Sequence, residues 1–519
     1  PTPRRMPPAK RRRLSEEVRP DAKNGGLEEE TANDASEAAA VAAKLLERTA
    51  ALAHRAVRSG LRLEPAFNTL EAALEASALL LPSVPRDATH ALSATALALA
   101  QRTTDAVEAT RILDRAVLRC LRRDVESAEC LARAASRRIA DVWAAACCGR
   151  HEEEEDLDDA WPDLDEHCHS RRQSNSRPCA KNDDASKPSR RLRPRVERGR
   201  CAAWPAVAKW RSPRYWTRFG HRLVPVEVGL SSRRGLDAHD DADPRRQQRV
   251  VALKEYIAYV AAVASSGTSS SSSSSVPLFD DDDDNVDSDA RATLVAVSPI
   301  VPVTSAATRA YLAQHPVFDH IRDLRPDAPA LFDSSTTACD LNLWFAPRGT
   351  ATPCHFDRKH NLVHHLVGTK LVALWDPDAE RTREALRPHA APLENTAGVD
   401  VGTTFFGPTL RQCGTRQKQH GGALRCVEAA ATAPCDWGGL SEENGNGVSE
   451  HCEGGPDVAV VLEPGDVLFI PRGWWHYVLA LTTSIGVSAW FDGDHDPWSG
   501  RRLDSEPPEE DVDFVLQAR

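Results

Sequence analysis

The chain has no apolar run long enough to cross a membrane. A membrane-spanning helix needs about 20 mostly apolar residues, and no stretch of the 519 residues approaches that length. No signal peptide is visible either. We therefore expect a protein without a membrane-embedded segment and without a membrane partner.

The sequence also lacks a disulfide framework and an excess of positive charge. Its 13 cysteines are scattered and odd in number, which is more typical of a reducing compartment than of a disulfide-stapled protein. The formal net charge is −11 at pH 7. This negative charge argues against nucleic acid as a direct ligand.

Charge runs, apolar stripes and low-complexity stretches predict the domain organisation. The predicted parts are a disordered basic and acidic tail (1–35), an all-α helical domain (36–150), a charged disordered linker (151–200), a catalytic domain (201–500) with insertions at 265–289 and 403–457, and a C-terminal tail (501–519).

Apolar residues at helical spacing indicate the helical domain. Leu45, Leu46, Leu52 and Val57 recur at intervals that fit a helix, and Gly60 ends the run. Such stripes are typical of the core of a helix bundle. A helical module that recruits a partner protein is the sharper alternative.

Two further segments allow more than one interpretation. The basic cluster Lys10–Arg13 fits a nuclear-import signal or a solvated tail, so we expect the nucleus, with the cytoplasm as the alternative. The second insertion contains four cysteines and two histidines. Without a close C-x2-4-C pair, these residues favour a flexible loop over a structural zinc site.

The triplet His355-Phe356-Asp357 predicts half of a metal site. Residues two apart in a strand point to the same side, so an imidazole and a carboxylate can face one point while Phe356 faces away. With a distant histidine, such a pair forms the 2-His-1-carboxylate triad. That triad binds Fe(II) and leaves positions open for a co-substrate and O2.

His476 is the candidate third ligand. It ends the stretch LEPGDVLFIPRGWWH (462–476), in which two turns flank a short buried strand. The alternative is a core histidine packed among aromatic side chains.

These motifs, in this order, resemble the Jumonji-C (JmjC) family of Fe(II)- and 2-oxoglutarate-dependent oxygenases. WFAPRGT (344–350), the H-x-D, GTK (368–370) and the WWH block carry the resemblance, which runs from about Val224 to Phe491 apart from the two insertions. VPVEVG (224–229) and YLAQHPVFDHI (311–321) are similar to one branch in particular. That branch has been described as lysine demethylase 8-like, and its better supported activity is protein-arginine hydroxylation.

The resemblance implies a fold and a set of ligands. The fold is mixed α and β: a double-stranded β-helix, the eight-stranded jelly roll of cupins, preceded by the all-α domain. His355, Asp357 and His476 would be the catalytic metal ligands for Fe(II), with 2-oxoglutarate as co-substrate and O2 as oxidant.

The chemistry of 2-oxoglutarate requires a cation for its distal carboxylate. Lys370 is the candidate, because it opens an apolar strand after a Gly-Thr turn, and Arg348 and Arg358 are the alternatives. By resemblance, the remaining co-substrate residues are Thr352, Asn361 and Tyr311 as hydrogen-bonding groups and Trp344 as a pocket wall; each also fits plain packing or a turn.

Two function classes follow. The first is a 2-oxoglutarate-dependent dioxygenase that acts on a protein side chain, by arginine hydroxylation or by lysine demethylation through methyl hydroxylation. Its partner would be a protein substrate such as a histone or another chromatin-associated or ribosomal protein. The second class is a catalytically silent JmjC scaffold. An oxygenase acting on tRNA or on a small molecule is a third option.

The two insertions are predicted to be dispensable for the chemistry, because neither has the pattern of a packed element. Deleting either of them should leave turnover of 2-oxoglutarate within a few-fold of the intact chain. The measurement is succinate production by each deletion variant. An unfolded product after deletion of the second insertion would instead support a zinc-binding role for its cysteines.

Overall fold

The computed structural model describes residues 24–77, 80–81, 84–121, 123–147, 160–164, 192–230, 247–266, 308–332, 339–389, 394–402, 455–495 and 502. The basic cluster Lys10–Arg13 and the four cysteines of the second insertion lie outside these residues, as do most of both insertions and of the two tails. In the described part of the chain, no helix has the length and apolar character needed to span a membrane.

Among the described residues, five helices precede the first strand and five shorter ones follow it. Their bounds are α1 Asn24–Ser59, α2 Leu63–Ser77, α3 Arg86–Arg102, α4 Ala106–Cys120, α5 Val125–Cys147, α6 Pro205–Lys209, α7 Pro213–Thr217, α8 Leu253–Ser266, α9 Val317–His320 and α10 Glu380–Leu386. Two 3-10 turns, Arg322–Asp327 and Pro329–Leu331, follow α9.

The chain forms two compact units, residues 1–98 and 99–519. In the first, α1 buries a face that is rotated from the predicted one: Leu46, Ala50 and Ala53 are buried, whereas Leu45 and Leu52 are almost half exposed. Alanines are small enough to let a neighbouring helix approach closely, so they occupy the contact face here. Their weak apolar signal in the sequence explains the error.

In the second unit, α4 and α5 lie with both sheets. Asp105 caps α4 by accepting a hydrogen bond from the Val107 amide. Ile112, Leu113 and Val117 form a buried apolar stripe on this helix. The boundary placed at residue 150 between a helical and a catalytic domain stays a prediction.

Twelve strands in the described residues form two antiparallel sheets. Their bounds are β1 Arg195–Glu197, β2 Leu223–Leu230, β3 Gln247–Ala252, β4 Thr308–His315, β5 Asp340–Ala346, β6 Ala351–Phe356, β7 His360–Val367, β8 Lys370–Trp375, β9 Val458–Leu462, β10 Val467–Ile470, β11 Trp475–Ala480 and β12 Ser484–Phe491. The larger sheet has the order β1-β10-β7-β12-β5-β4-β2-β3, and the smaller one β6-β11-β8-β9.

The last eight strands form a jelly roll. β5, β7, β10 and β12 belong to the larger sheet, and β6, β8, β9 and β11 belong to the smaller one, so the chain passes repeatedly between the two. The mixed α and β fold, with helices ahead of a double-stranded β-helix, is confirmed. β4, β2 and β3 extend the larger sheet beyond the roll.

Side-chain alternation gives each sheet an inner and an outer face. Val372, Leu374 and Leu468 pack together between the sheets. On the outer face of the larger sheet, Val487 and Phe345 pack with α8 residues such as Tyr256. Residues that share the inner face of these strands can therefore meet inside the roll.

A buried ionic network joins α4 to the sheet. Asp114 on α4 accepts hydrogen bonds from Arg222, from the Leu223 amide and from His320. Both charged side chains are completely buried. Burial alone would raise the pKa of Asp114, but the charges of Arg222 and His320 bring it well below its usual range.

Part of the predicted disordered linker is ordered, which corrects that prediction for the residues concerned. Strand β1 and residues 160–164 both fall within 151–200, and Trp161 and Asp163 are fully buried. The residues around them in the sequence are strongly acidic, and this composition predicted disorder for a short segment that is packed. At the end of the second insertion, Asp457 accepts a hydrogen bond from the Asp376 amide.

The Asp114 network should be essential for stability. Removing one partner of a buried ion pair typically costs ~3–5 kcal/mol, because the other charge is left uncompensated. Asp114→Ala should therefore lower the free energy of unfolding by about that amount, measured by denaturant titration. The matched control is Asp319→Ala, which breaks the exposed pair with Arg325 and should cost less than about 1 kcal/mol. Equal effects of the two substitutions would contradict this account.

Candidate metal centre and co-substrate pocket

The pairing of β6 with β11 brings the two predicted histidine ligands together. His355 lies directly opposite His476 in this antiparallel pair, and their ring centroids are 4.3 Å apart. Asp357 follows the end of β6. Its two carboxylate oxygens lie 3.7 Å from Nε2 of His355 and 3.8 Å from Nε2 of His476. One ligand atom from each residue fits within 4.8 Å of the others.

Backbone carbonyls orient both rings. The Nδ1 atom of His355 lies 2.8 Å from the carbonyl oxygen of Pro353, and that of His476 lies 3.0 Å from the carbonyl oxygen of Trp474. A ring nitrogen that faces a carbonyl must carry the proton and donate it. Each Nε2 is therefore left with its lone pair directed towards Asp357, which is the tautomer that a metal ligand requires.

The electrostatics of the three residues favour a bound cation. Burial, and secondarily the charge of His355, lowers the pKa of His476 to about 3, so its ring is neutral. Burial raises the pKa of Asp357, and His355 partly offsets this. One carboxylate oxygen of Asp357 is buried without a hydrogen-bond partner among the described residues. Two imidazoles in the ligand tautomer and an unsatisfied carboxylate fit a divalent metal, and Fe(II) in particular.

Phe356 points away from this site, as strand alternation predicts. Its ring packs edge-on against Trp475 at a centroid distance of 4.9 Å. Both side chains belong to the apolar layer outside the smaller sheet. Packing of Phe356 thus fixes the rotation of the strand end that presents His355 and Asp357.

Lys370 lies on the inner face of β8, together with Val372 and Leu374. It is only 5% exposed, and burial lowers its pKa to about 8. No hydrogen bond or ion pair with another described residue neutralises its ammonium group. A buried ammonium without a counter-charge is a receptor for an anionic group.

The two alternative cations are placed differently. Arg358 is largely exposed and pairs with Glu394. Arg348 lies in the turn between β5 and β6, and its positive charge opposes the rise in the pKa of the buried Asp163. Among the three predicted candidates, Lys370 is the one on the inner face of a strand of the roll.

The other predicted co-substrate residues surround a polar patch of the same interior. Tyr311 is hydrogen-bonded to the side chain of Thr352, and its ring centroid lies 5.9 Å from that of Trp344. Asn361 Oδ1 and Trp344 Nε1 are buried without a partner among the described residues. Buried acceptors and donors that lack a partner of this kind indicate a polar ligand.

Two residues here were not predicted as part of the pocket. Trp490 lies opposite Asn361 in the register of β12 and β7, and its Nε1 is also buried without a partner in the described chain. Glu227 lies opposite Tyr311 across β2 and β4. Burial raises the pKa of that phenol, and the charge of Glu227 adds to the rise. Strand alternation in SIGVSAWF (484–491) places Trp490 on the same face as the buried Ser488, which could have indicated it. The position of Glu227 next to Tyr311 depends on the pairing of β2 with β4, and a long insertion separates these two strands in the sequence.

The neighbouring histidines have packing roles. His360 accepts a hydrogen bond from the Arg472 amide, His364 stacks on Trp204, and His365 is hydrogen-bonded to the Gly368 carbonyl. None of them joins the three-residue ligand group, which is the single one of its kind within the described residues.

Comparison with known proteins agrees with this geometry. A family model described as a cupin-like domain matches residues 189–496. Curated relatives include lysine-specific demethylase JMJ30 of Arabidopsis thaliana, which is 26% identical over 306 residues, covering 56% of this chain and 48% of that protein. Lysine-specific demethylase 8 of Danio rerio is 30% identical over 187 residues, covering 35% of this chain and 36% of that protein.

A third relative is Jumonji C domain-containing protein 5 of Drosophila melanogaster, 25% identical over 297 residues, covering 56% of this chain and 52% of that protein. The chain thus spans between about a third and a half of the length of these relatives. The family match covers more than half of this chain, and the fold and the His-Asp-His group both fit it. The chain belongs to the cupin-like JmjC family.

Proposed function

We propose that this protein is an Fe(II)- and 2-oxoglutarate-dependent dioxygenase that hydroxylates a protein side chain. The observation that carries the proposal is the arrangement of His355, Asp357 and His476. Two imidazole Nε2 atoms, oriented by backbone carbonyls, face one partly buried carboxylate within 4.8 Å. A catalytically silent relative has no need to retain all three groups in this arrangement.

The three residues would hold Fe(II) on one face and leave the other positions open. When bound, the iron supplies the activation of O2 for the oxidation, coupled to decarboxylation of 2-oxoglutarate to succinate. The protein keeps His476 neutral by burial and holds both rings in the ligand tautomer. The roll also shields the reacting groups from bulk water.

Lys370 would bind the distal carboxylate of 2-oxoglutarate through a charge-assisted hydrogen bond. The unmatched groups of Asn361 and Trp344 would complete the contacts, with Thr352 and Tyr311 alongside. This assignment explains why an ammonium group is buried without a carboxylate partner in the described chain.

The substrate side chain that we propose is cationic, either arginine or methyl-lysine. Glu227 places a carboxylate next to Tyr311 on the face that continues from the pocket. A carboxylate at this position favours a guanidinium or an ammonium group. Two of the relatives are named as lysine-specific demethylases. Histones and other chromatin-associated or ribosomal proteins are the candidate substrates, and the nucleus is the proposed site of action, with the cytoplasm as the alternative.

The competing functions are a scaffold without activity and an oxygenase that acts on tRNA or on a small molecule. Incubating the protein with arginine-containing and methyl-lysine-containing peptides, followed by mass spectrometry, separates them. Gain of one oxygen on arginine indicates stable hydroxylation, and loss of a methyl group from lysine indicates demethylation. Neither change in any peptide, together with no succinate, would favour the scaffold.

Loss of one ligand should abolish turnover without unfolding the protein. His355→Ala removes an Nε2 donor on the edge of the site, and we expect succinate production to fall to background while the circular dichroism spectrum is unchanged. His389→Ala, a histidine outside the ligand group, is the control. Wild-type succinate production by His355→Ala would show that the metal lies elsewhere.

Loss of the Lys370 ammonium should raise the 2-oxoglutarate requirement. Breaking a buried charge pair typically costs ~3–5 kcal/mol, so Lys370→Ala should raise the half-saturating concentration by about two orders of magnitude or more. The Fe(II) requirement should change little. In the wild type, kcat/KM for 2-oxoglutarate should fall as the pH rises through about 8, because the free enzyme then loses the positive charge. An unchanged requirement in Lys370→Ala would move the anchor to Arg348.

A further inference from the structure

A short segment from the acidic stretch between α5 and β1 packs against the jelly roll. The indole of Trp161 is fully buried, lies edge-on to Phe345 at 5.5 Å and donates its Nε1 hydrogen to the Trp210 carbonyl. Its backbone amide donates to the Arg211 carbonyl. Trp161 thus anchors the residues on either side of it, including Asp163.

Asp163, two residues after Trp161, contacts a turn of the jelly roll. One of its carboxylate oxygens accepts a hydrogen bond of 2.5 Å from the backbone amide of Thr483, and both residues are completely buried. Burial raises the pKa of Asp163, although the hydrogen bonds from Thr483 and the charge of Arg348 oppose the rise. Burying a carboxylate costs free energy, so we expect Asp163 to have a specific role at this turn.

The turn that contains Thr483 is also hydrogen-bonded to the turn that precedes Lys370. The Thr369 amide donates to Thr482 Oγ1 at 2.9 Å, and the Leu481 amide donates to the Thr369 carbonyl at 3.0 Å. Gly368 has a φ of +71°, and a Cβ atom there would lie 1.9 Å from the Thr483 carbonyl oxygen. With backbone in such close contact, a shift of the Thr483 turn must move the Gly368-Thr369 turn as well.

We propose that Asp163, held by Trp161, is a positioning residue for Lys370 and thereby sets the affinity for 2-oxoglutarate. The inference rests on the proposed function, in which Lys370 anchors the co-substrate. Lys370 begins β8 immediately after the turn that the Thr482-Thr483 pair supports. Its ammonium must meet a carboxylate of fixed geometry in a buried pocket, where small displacements of a binding group are costly.

A purely architectural role for Asp163 is the competing explanation, and three variants distinguish the two. Asp163→Ala removes the acceptor for the Thr483 amide, whereas Asp163→Asn retains an acceptor oxygen without the charge. Asp114→Asn is the matched control, because it alters another fully buried carboxylate, one whose contacts are Arg222 and His320. It should destabilise the protein without acting on the Lys370 turn.

The experiment is a 2-oxoglutarate titration of succinate production by the full chain with Fe(II), with thermal midpoints measured in parallel. We expect Asp163→Ala to raise the half-saturating 2-oxoglutarate concentration roughly three- to thirty-fold, in the range of coupling between contacting groups, with little change in kcat. Asp163→Asn should show a smaller rise. Asp114→Asn should show none, even where its thermal midpoint falls as far.

Combination with Lys370→Ala gives the decisive comparison. If Asp163 acts through Lys370, the double variant Asp163→Ala/Lys370→Ala should need no more 2-oxoglutarate than Lys370→Ala alone. Additive effects, or an Asp163→Ala curve that matches Asp114→Asn, would overturn the positioning role while leaving the proposed anchor intact. An unchanged requirement in Lys370→Ala alone would instead remove the anchor, and the role of Asp163 with it.

Discussion

The antiparallel pairing of β6 with β11 is the interaction on which the site depends. It places His355 opposite His476 although 120 other residues separate them in the sequence. The Nδ1 contact of each histidine with a carbonyl two residues earlier is made within its own strand segment. The sheet therefore sets the distance between the ligands, and the local backbone sets their tautomer. Asp357 then needs only to follow β6 to complete the group.

The same roll has two chemical environments in its interior. Around the metal ligands, burial suppresses protonation of His476, and one oxygen of Asp357 has no hydrogen-bond partner among the residues that the structure describes. Around Lys370, burial lowers the pKa of an ammonium group to about 8, and no residue in the described part of the chain supplies a counter-charge. Each environment is unfavourable as it stands in the protein alone and would be relieved by its proposed ligand, a divalent cation in the first case and a carboxylate in the second.

Local sequence patterns were sufficient for the strands that carry chemistry. The alternation in His355-Phe356-Asp357 gave the correct facing of all three side chains, and the jelly roll followed from resemblance. Contacts between distant segments could not be predicted this way. Asp114 and Arg222 look like ordinary surface charges in the sequence, and their complete burial depends on how α4 packs on β2. Trp161 and Asp163 were hidden by the acidic residues around them, because composition averages over a stretch while packing selects individual side chains.

The most direct test of the account is an anaerobic titration of the purified protein with Fe(II) and 2-oxoglutarate, followed by the visible absorption that a 2-oxoglutarate–Fe(II) chelate gives. The account predicts that the absorption saturates at one iron per chain, that it requires both additions, and that it is lost in Asp357→Ala. Absence of the absorption from a folded wild-type protein, or its persistence at full strength in Asp357→Ala, would contradict the assignment of His355, Asp357 and His476 as an iron site.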